Sequence, residues 1–310
     1  MILVVNLNAS LDKKYELRDL KKGTVMRAAS VQNTPGGKGL HVANIVKTMG
    51  IDCIATGFLA GHNGAFIEEQ LEHYGIRHDF VHLDEGETRC CLACITDDGA
   101  QTEILEPGPS VSQEKLDEFL RTYDTYLDTV DGVAASGSLP GNVPLSLYGT
   151  MITMAKKKHV PFFLDTSGQA LCHGIDSAPY FIKPNEEEIQ AYTGRTVTGI
   201  DDLKTEIKHF ISSGIGVAVV SLGSKGALAG NCNGIYRVQV PVITAVNPVG
   251  SGDSFVGGFL AAYSQQLDFP TALTMAAACG TANAMEEETA VVNKDTVYKL
   301  MDQIIVQKEI

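Results

Sequence analysis

Short apolar runs alternate with longer segments of helical spacing through most of the chain. "ILVVN" opens it, and "DCIATGF", "GVAAS", "PFFLD", "YFIKP" and "VAVVSLG" follow at intervals. Each is bounded by polar or glycine-rich residues, as strands are. Between them, residues 37–50, "GKGLHVANIVKTMG", place Leu40, Ala43, Val46 and Met49 on one helical face, and Gly50 closes the segment. Residues 63–75, "NGAFIEEQLEHYG", predict a second helix, capped by Asn63 and ended by Gly75. Strands alternating with helices predict a mostly parallel sheet covered by helices. In such sheets ligands bind beyond the carboxyl ends of the strands, so the polar ends of the runs carry the candidate chemistry.

Two segments break this rhythm. Residues 13–31 are polar and alternate weakly, and residues 87–107 read as a hairpin turning at 97–100. Together they predict a small antiparallel sheet, a lid over segments 13–31 and 87–105, standing off the main body. Leu17, Val25, Leu92 and Ile95 are expected to line its apolar face. A small sheet open on one side has edges and a face that seek cover, so a homodimer through the lids is expected. No repeat or low-complexity tract divides the chain, and residues 1–310 are expected to form a single domain with this appendage.

Charge narrows the partners. The formal net charge is −13 over 310 residues. Nucleic acid and anionic membrane surfaces are therefore excluded as expected partners, and an anionic ligand must be met by a local cluster of cations and backbone N–H groups. No run approaches the roughly 20 apolar residues of a membrane span, so a cytoplasmic protein is expected. The 7 cysteines include a C-x-x-C at Cys91 and Cys94. It lies in a strand-like stretch, where residues three apart face opposite ways, and it reads as structural.

The candidate chemistry lies in five turns. "NPVGSGDSF" (247–255) puts Gly250, Ser251 and Gly252 at the mouth of a helix with Asp253 in its first turn. It is not a dinucleotide fingerprint, because Phe255 stands where the third glycine belongs. "GGKG" (36–39) is not a Walker loop either, with Gln32 at the first glycine position and Gly39 in place of Ser or Thr. Both turns nonetheless free helix N-terminal N–H groups to approach an anion. An acid beside a transferring phosphoryl group is placed to take a proton from the acceptor hydroxyl, although a mere helix cap would look the same. "SGSLPG" (136–141), "KPNEEE" (183–188) and "SLGSKG" (221–226) end three further runs. Asn185 and Glu188, three apart at a helix start, share one face.

With these segments in place, the sequence resembles the ribokinase, or PfkB, family of carbohydrate kinases. "NPVGSGDSFVGGFL" fits the family's C-terminal signature and "GGKGLHVA" most of its N-terminal one, with "NLNASLD", "GETR", "SGSLP", "KPNEEE" and "QTEILEPGP" alongside. The resemblance covers nearly the whole chain and points to the 1-phosphofructokinase and tagatose-6-phosphate kinase branch. It implies a ribokinase-like three-layer α/β/α domain with a mostly parallel central sheet and a small β-lid. It implies ATP, magnesium and a monovalent cation as cofactors, and a ketohexose monophosphate as acceptor. Asp253 would be the catalytic base and the N–H groups of Gly250, Ser251 and Gly252 the anion hole. Asp12, Gly36, Gly37 and Lys38 would hold the sugar. Arg89, Lys38, Arg27 and Ser138 would face its phosphate. Lys183 and the turn with Ser221, Gly223, Ser224 and Gly226 would face ATP, with Gly280 and Asn283 near the adenosine. Asn185 would also serve the nucleotide and, with Glu188, steer magnesium largely through water.

One position departs from the pattern. The family places Asn, as a sugar contact, where this chain has His41. Imidazole is larger than the amide and titrates near neutral pH, so the acceptor's identity is open at this position. Two other readings compete: a kinase of an unphosphorylated sugar or a nucleoside, and a sugar-sensing protein without catalysis. The intact "GSGD" argues against the second, and cationic Lys38 and Arg89 in the sugar half argue against the first.

Overall fold

The computed structural model describes residues 1–309. Fourteen strands are formed: β1 (Ile2–Asn6), β2 (Ser10–Leu17), β3 (Ser30–Gly36), β4 (Cys53–Leu59), β5 (Arg77–His82), β6 (Arg89–Thr96), β7 (Gln101–Leu105), β8 (Gly132–Ser136), β9 (Phe162–Asp165), β10 (Phe181–Ile182), β11 (Val217–Ser221), β12 (Ala227–Asn231), β13 (Gly234–Gln239) and β14 (Ile305–Lys308). The helices are α1 (Lys38–Thr48), α2 (Gly61–His73), α3 (Gln113–Tyr126), α4 (Leu147–Lys157), α5 (Gly168–Asp176), α6 (Glu186–Thr193), α7 (Ile200–Ser212), α8 (Ser251–Ser264), α9 (Phe269–Asn283) and α10 (Lys294–Met301).

Ten strands make one sheet in the order β14-β13-β12-β11-β10-β9-β8-β1-β4-β5. From β11 to β5 every pairing is parallel, and β12, β13 and β14 extend one edge antiparallel. The alternation of β1 explains its two-sided burial. Ile2 and Val4 enter the core packed by α1, α2, α8, α9 and α10, while Leu3 and Val5 enter the core packed by α3 to α7. A strand buried on both faces reads as a continuous apolar run, as "ILVV" does. The expected three-layer, ribokinase-like architecture is therefore present.

The lid is a second sheet of four strands, β3-β2-β6-β7. The hairpin turns where expected, with the Gly99 N–H donating to the Thr96 carbonyl at 2.8 Å and Gly99 at a φ of +79°. The sheet is not wholly antiparallel, however: its central pair, β2 and β6, runs parallel because the two hairpins enter it from separate excursions of the chain. Nor do the four expected apolar residues share a face. Leu92 pairs opposite Lys13 and Ile95 opposite Glu16, so they point to opposite sides, and Val25 lies in the connecting loop, 92% exposed. Ile95 shares the face of Asp12, which lines the cavity, whereas Tyr15, Val31, Leu92 and Ile104 share the outer face.

Asn63 is not the cap of α2. The helix starts two residues earlier, and the Glu87 carboxylate, from the lid's approach, accepts from the N–H groups of His62 and Asn63 at 3.1 Å each. These donors hold the Glu87 carboxyl below its usual range. Asn63 instead donates its side-chain amide to the Thr88 carbonyl at 2.7 Å.

Helix α8 explains the small-residue run after Asp253. It lies between α1 and α9, and close packing requires the absence of Cβ on both sides. A Cβ on Gly257 would stand 2.6 Å from the Ile45 Cβ, and one on Gly258 2.8 Å from the Cys279 Sγ. Gly258→Val should therefore lower the unfolding free energy by about 1–3 kcal/mol, the cost of overpacking, read from the urea midpoint at unchanged slope.

Candidate active site

Parallel neighbours end at one edge of the sheet, so their polar termini converge. Asn6 closes β1, Gly137 and Ser138 follow β8, Asp165 closes β9 and Lys183 follows β10. All of these line one cavity of about 520 Å³, closed from above by the lid residues Asp12, Lys14, Arg89 and Cys91. The "SLGSKG" turn follows β11 at the same edge, beyond the cavity.

The floor of the cavity includes the mouth of α8. Gly250 is its N-cap, at a φ of +80° that favours glycine, and a Cβ there would stand 2.7 Å from Thr289. Asp253 sits in the first turn and is only 6% exposed. The loop before it is held from behind by Asn283. Its amide donates to the Val249 carbonyl at 2.8 Å and the Ser251 Oγ at 3.2 Å, and its Oδ1 accepts from the Ala290 N–H at 2.6 Å. Gly280 lies against the same loop, where a Cβ would meet the Ser251 carbonyl at 2.9 Å. Asn283 is fully buried and backs this loop from within the core, whereas Gly280 is partly exposed beside it.

Charged groups cross this floor in two chains. In the first, the Lys183 Nζ lies 3.3 Å from Asp165 Oδ2, and the Lys38 Nζ lies 3.9 Å from Asp165 Oδ1. Asp165 is 3% exposed and holds both ammonium groups toward the cavity. It also raises the pKa of Lys38 against the effect of burial. A Cβ on Gly252 would stand 3.2 Å from the Lys183 Nζ, so this cation adjoins the α8 anion loop. In the second chain, His41 Nδ1 lies 2.8 Å from Asp253 Oδ2, and His41 Nε2 lies 3.8 Å from Asp12 Oδ2. Burial opposes the imidazolium, but the hydrogen bond and charge of Asp253, with Asp12 beyond, leave its pKa raised. Burial also pushes the Asp12 carboxyl up, and His41, the Ser10 hydroxyl at 2.6 Å and Arg89 counter it in part.

The glycine turn 36–39 is fixed by close approach. A Cβ on Gly36 would fall on the Asp12 carboxylate, and one on Gly37 would stand 2.4 Å from the Asn6 amide. Ser138 accepts from the Asn8 side chain at 3.1 Å. Arg89 reaches the cavity while its guanidinium donates to the carbonyls of Asn8 and Glu106, both at 3.2 Å. Arg27 is exposed in the loop between β2 and β3 and is not brought to the cavity. Asn185 and Glu188 close a reciprocal capping box on α6, at 2.8 and 2.9 Å. Ser221, Gly223, Ser224 and Gly226 form the turn after β11, Gly226 at a φ of +85° with its Cβ position filled by the Val238 carbonyl. Asn6, Asn8 and Asp165 are among the cavity residues not singled out from the sequence. Each is a polar residue at or just past the end of an apolar strand, which is the signal that marks them.

The acid and the glycine-bounded loop at the mouth of α8 thus face a lid-covered cavity at the C-terminal edge of the parallel sheet of a ribokinase-like domain. The chain belongs to the pfkB family of carbohydrate kinases, whose model matches residues 5–296. Among solved structures, it is similar to a Staphylococcus aureus protein assigned provisionally as a phosphofructokinase (29% identity, 99% of this chain and 98% of that one, TM-score 0.86). It is also similar to a Thermotoga maritima protein described as a possible 1-phosphofructokinase (25% identity, 100% and 99% covered, TM-score 0.88). Phosphofructokinase-2 of Escherichia coli shares the fold (24% identity, 97% and 98% covered, TM-score 0.91). Kinases of this family use ATP. Among the described residues, no helix is long and apolar enough to cross a membrane.

The loop clamp is testable apart from chemistry. Asn283→Ala leaves the buried Ala290 N–H and the Val249 carbonyl without their partner. It should lower stability by about 2 kcal/mol, read from urea midpoints, and depress turnover because the anion loop loses its backing.

Proposed function

We propose that the protein transfers the γ-phosphoryl group of ATP to a hydroxyl of a ketohexose monophosphate, tagatose 6-phosphate or fructose 1-phosphate, giving the bisphosphate. The observation that carries this reading is that Asp253, at the mouth of α8, shares one cavity with Lys38 and Arg89. A base for a hydroxyl and cations for an acceptor's phosphate thus face the same space. Lys14, on the same face of β2 as Asp12, lines that cavity too. The likeness to a possible 1-phosphofructokinase supports the same class of acceptor.

The geometry supports the following roles. Asp12, beside the Gly36–Gly37 turn, binds sugar hydroxyls, and Asp253 takes the proton of the hydroxyl that attacks. The N–H groups of Gly250, Ser251 and Gly252, with the Lys183 ammonium against them, receive the charge on the moving phosphoryl group. The triphosphate then runs from the α8 mouth toward the turn after β11. Magnesium neutralises charge on the nucleotide's phosphate oxygens when bound. The donor set fits an outer-shell role. The capping box occupies Glu188 Oε2 and leaves Oε1 free, and among the described residues no cluster of three or more His, Cys, Asp or Glu offers a direct cage. Glu188 and Asn185 would hold the ion through water, in keeping with its reluctance to shed water.

Coupled ADP release over a panel of sugars and sugar phosphates tests the acceptor. Turnover is expected only with ketohexose monophosphates, and preference for a free sugar or a nucleoside would overturn the reading. In the same assay Asp253→Asn should cut kcat by about 10²–10⁴ with the KM for ATP near wild type.

The lid's outer face, with Tyr15, Val31, Leu92 and Ile104, is proposed to be covered by the lid of a second copy. Ile104 is 57% exposed in one chain alone. Light scattering across a dilution series should give the mass of a dimer, and Ile104→Asp should shift it toward the monomer. A wild-type monomer at every concentration would remove the shared lid and leave the kinase reading standing.

A further inference from the structure

His41 stands between two carboxylates that have different tasks. Its Nδ1 lies 2.8 Å from Oδ2 of Asp253, on α8, and its Nε2 lies 3.8 Å from Oδ2 of Asp12, on the lid strand β2. The imidazole itself rides on the first turn of α1, with a side chain only 14% exposed. One ring thus faces a carboxylate from each of two other elements, α8 and β2. A carboxylate only accepts hydrogen bonds, and a neutral imidazole has a single N–H, so it can donate to one of its neighbours but not to both. The imidazolium keeps its hydrogen bond to Asp253 and at the same time turns a charged N–H toward Asp12, an ion pair at 3.8 Å. Other charged groups near the ring are Lys38, one helical turn before it, and Glu288, which shares a small recess with it along with Tyr74. Lys38 opposes the imidazolium, and Asp253 and Asp12 favour it.

We propose that His41 is a positioning residue whose imidazolium bridges the base Asp253 to the sugar-holding Asp12, aligning the attacking hydroxyl with the group that deprotonates it. This rests on the kinase reading given above. With Oδ2 of Asp253 engaged by the ring, Oδ1 is the oxygen free to act. The acceptor O–H proton passes to Oδ1, and the oxygen's electron pair forms the new bond to the γ-phosphorus. The bond from that phosphorus to the bridging oxygen breaks, and its electron pair leaves on ADP. His41 keeps both its protons throughout. Once the ring loses a proton, one acid is released. The Asp12 contact is the longer of the two and is the one expected to go, loosening the grip on the sugar rather than on ATP.

The sign of the pH effect follows. A raised pKa carries the imidazolium bridge to higher pH than an ordinary histidine would, and it is lost as pH rises through the ring's midpoint in the folded protein. kcat/KM for the sugar phosphate should therefore fall on the alkaline side while the KM for ATP stays flat. His41→Asn should remove that alkaline limb, because an amide does not titrate, and His41→Gln should do the same. A ring that served only to fill space would move stability and leave the shape of the profile unchanged.

Imidazole NMR on the full chain supplies a readout that needs no turnover. The His41 signals, one set among 8 histidines, are assigned by their loss in His41→Asn, or in His41→Gln if the first variant does not fold. The wild-type midpoint should lie above the ordinary histidine value of about 6.5, and Asp253→Asn should lower it by about one pH unit or more. An unmoved midpoint in Asp253→Asn, or an alkaline limb that survives in both His41 variants, would overturn the bridge. If the wild type turns over no sugar phosphate, the kinase reading fails, and the NMR comparison alone then decides whether the bridge exists.

Discussion

The site is built on the close approach of two backbone segments to Asn6. A Cβ on Gly37 would stand 2.4 Å from its side chain, one on Gly39 2.6 Å from its Cβ, and one on Gly57 2.1 Å from its carbonyl oxygen. Asn6 ends β1, which lies between β4 and β8, where the strand order turns from one side of the sheet to the other. The start of α1 and the end of β4 can close on this point only because those positions lack side chains. Lys38 and His41 are thereby held over the cavity, and the chain leaving β1 reaches Asp12 within six residues. The glycines in these turns matter less for flexibility than for the distance they permit.

Charges of both signs meet in the cavity, where Lys14, Lys38, Arg89 and Lys183 stand among Asp12, Glu103, Asp165, Asp253, Glu287 and Glu288. A buried carboxylate, Asp165, anchors two of these cations instead of cancelling them. Such a buried set contributes little net stability, because desolvation offsets most of the attraction. What it fixes is position: an ammonium group against the α8 loop, ready for an anion that arrives from solvent.

Much of this was legible in the chain. Continuous apolar runs exposed the two-sided strands, and the glycine turns stood out because few other residues suit their backbone. Misreadings came where the deciding contact was distant in sequence. The start of α2 is set by Glu87, from beyond the next strand, so Asn63 looked like the cap. The lid's weak alternation left its parity open, and a slip of one residue exchanges cavity and outer faces, as Leu92 and Ile95 show. Asp165 was passed over because a lone acid after a strand looks like any turn former until two lysines are found around it. That Asn283 is a buried clamp behind the loop was not legible, since sequence does not tell a buried polar residue from an exposed one. The capping box of Asn185 and Glu188 shows the reverse: one spacing that serves the helix and leaves an oxygen for the ligand.

The lid is assembled from two separate excursions, β2–β3 between β1 and α1, and β6–β7 between β5 and α3. Its two halves meet only through the parallel pairing of β2 with β6. It is therefore not a cassette. A recombination event that exchanged one stretch of coding sequence would import half a lid, whose central strand must match the register of the resident half. β3 also runs directly into Gly36 and the turn before α1, so any graft that alters its length displaces the sugar turn as well. Lid and floor are thus expected to drift together through descent, and a lid taken from a relative should be inherited in company with its Gly36–Gly37 turn or not at all.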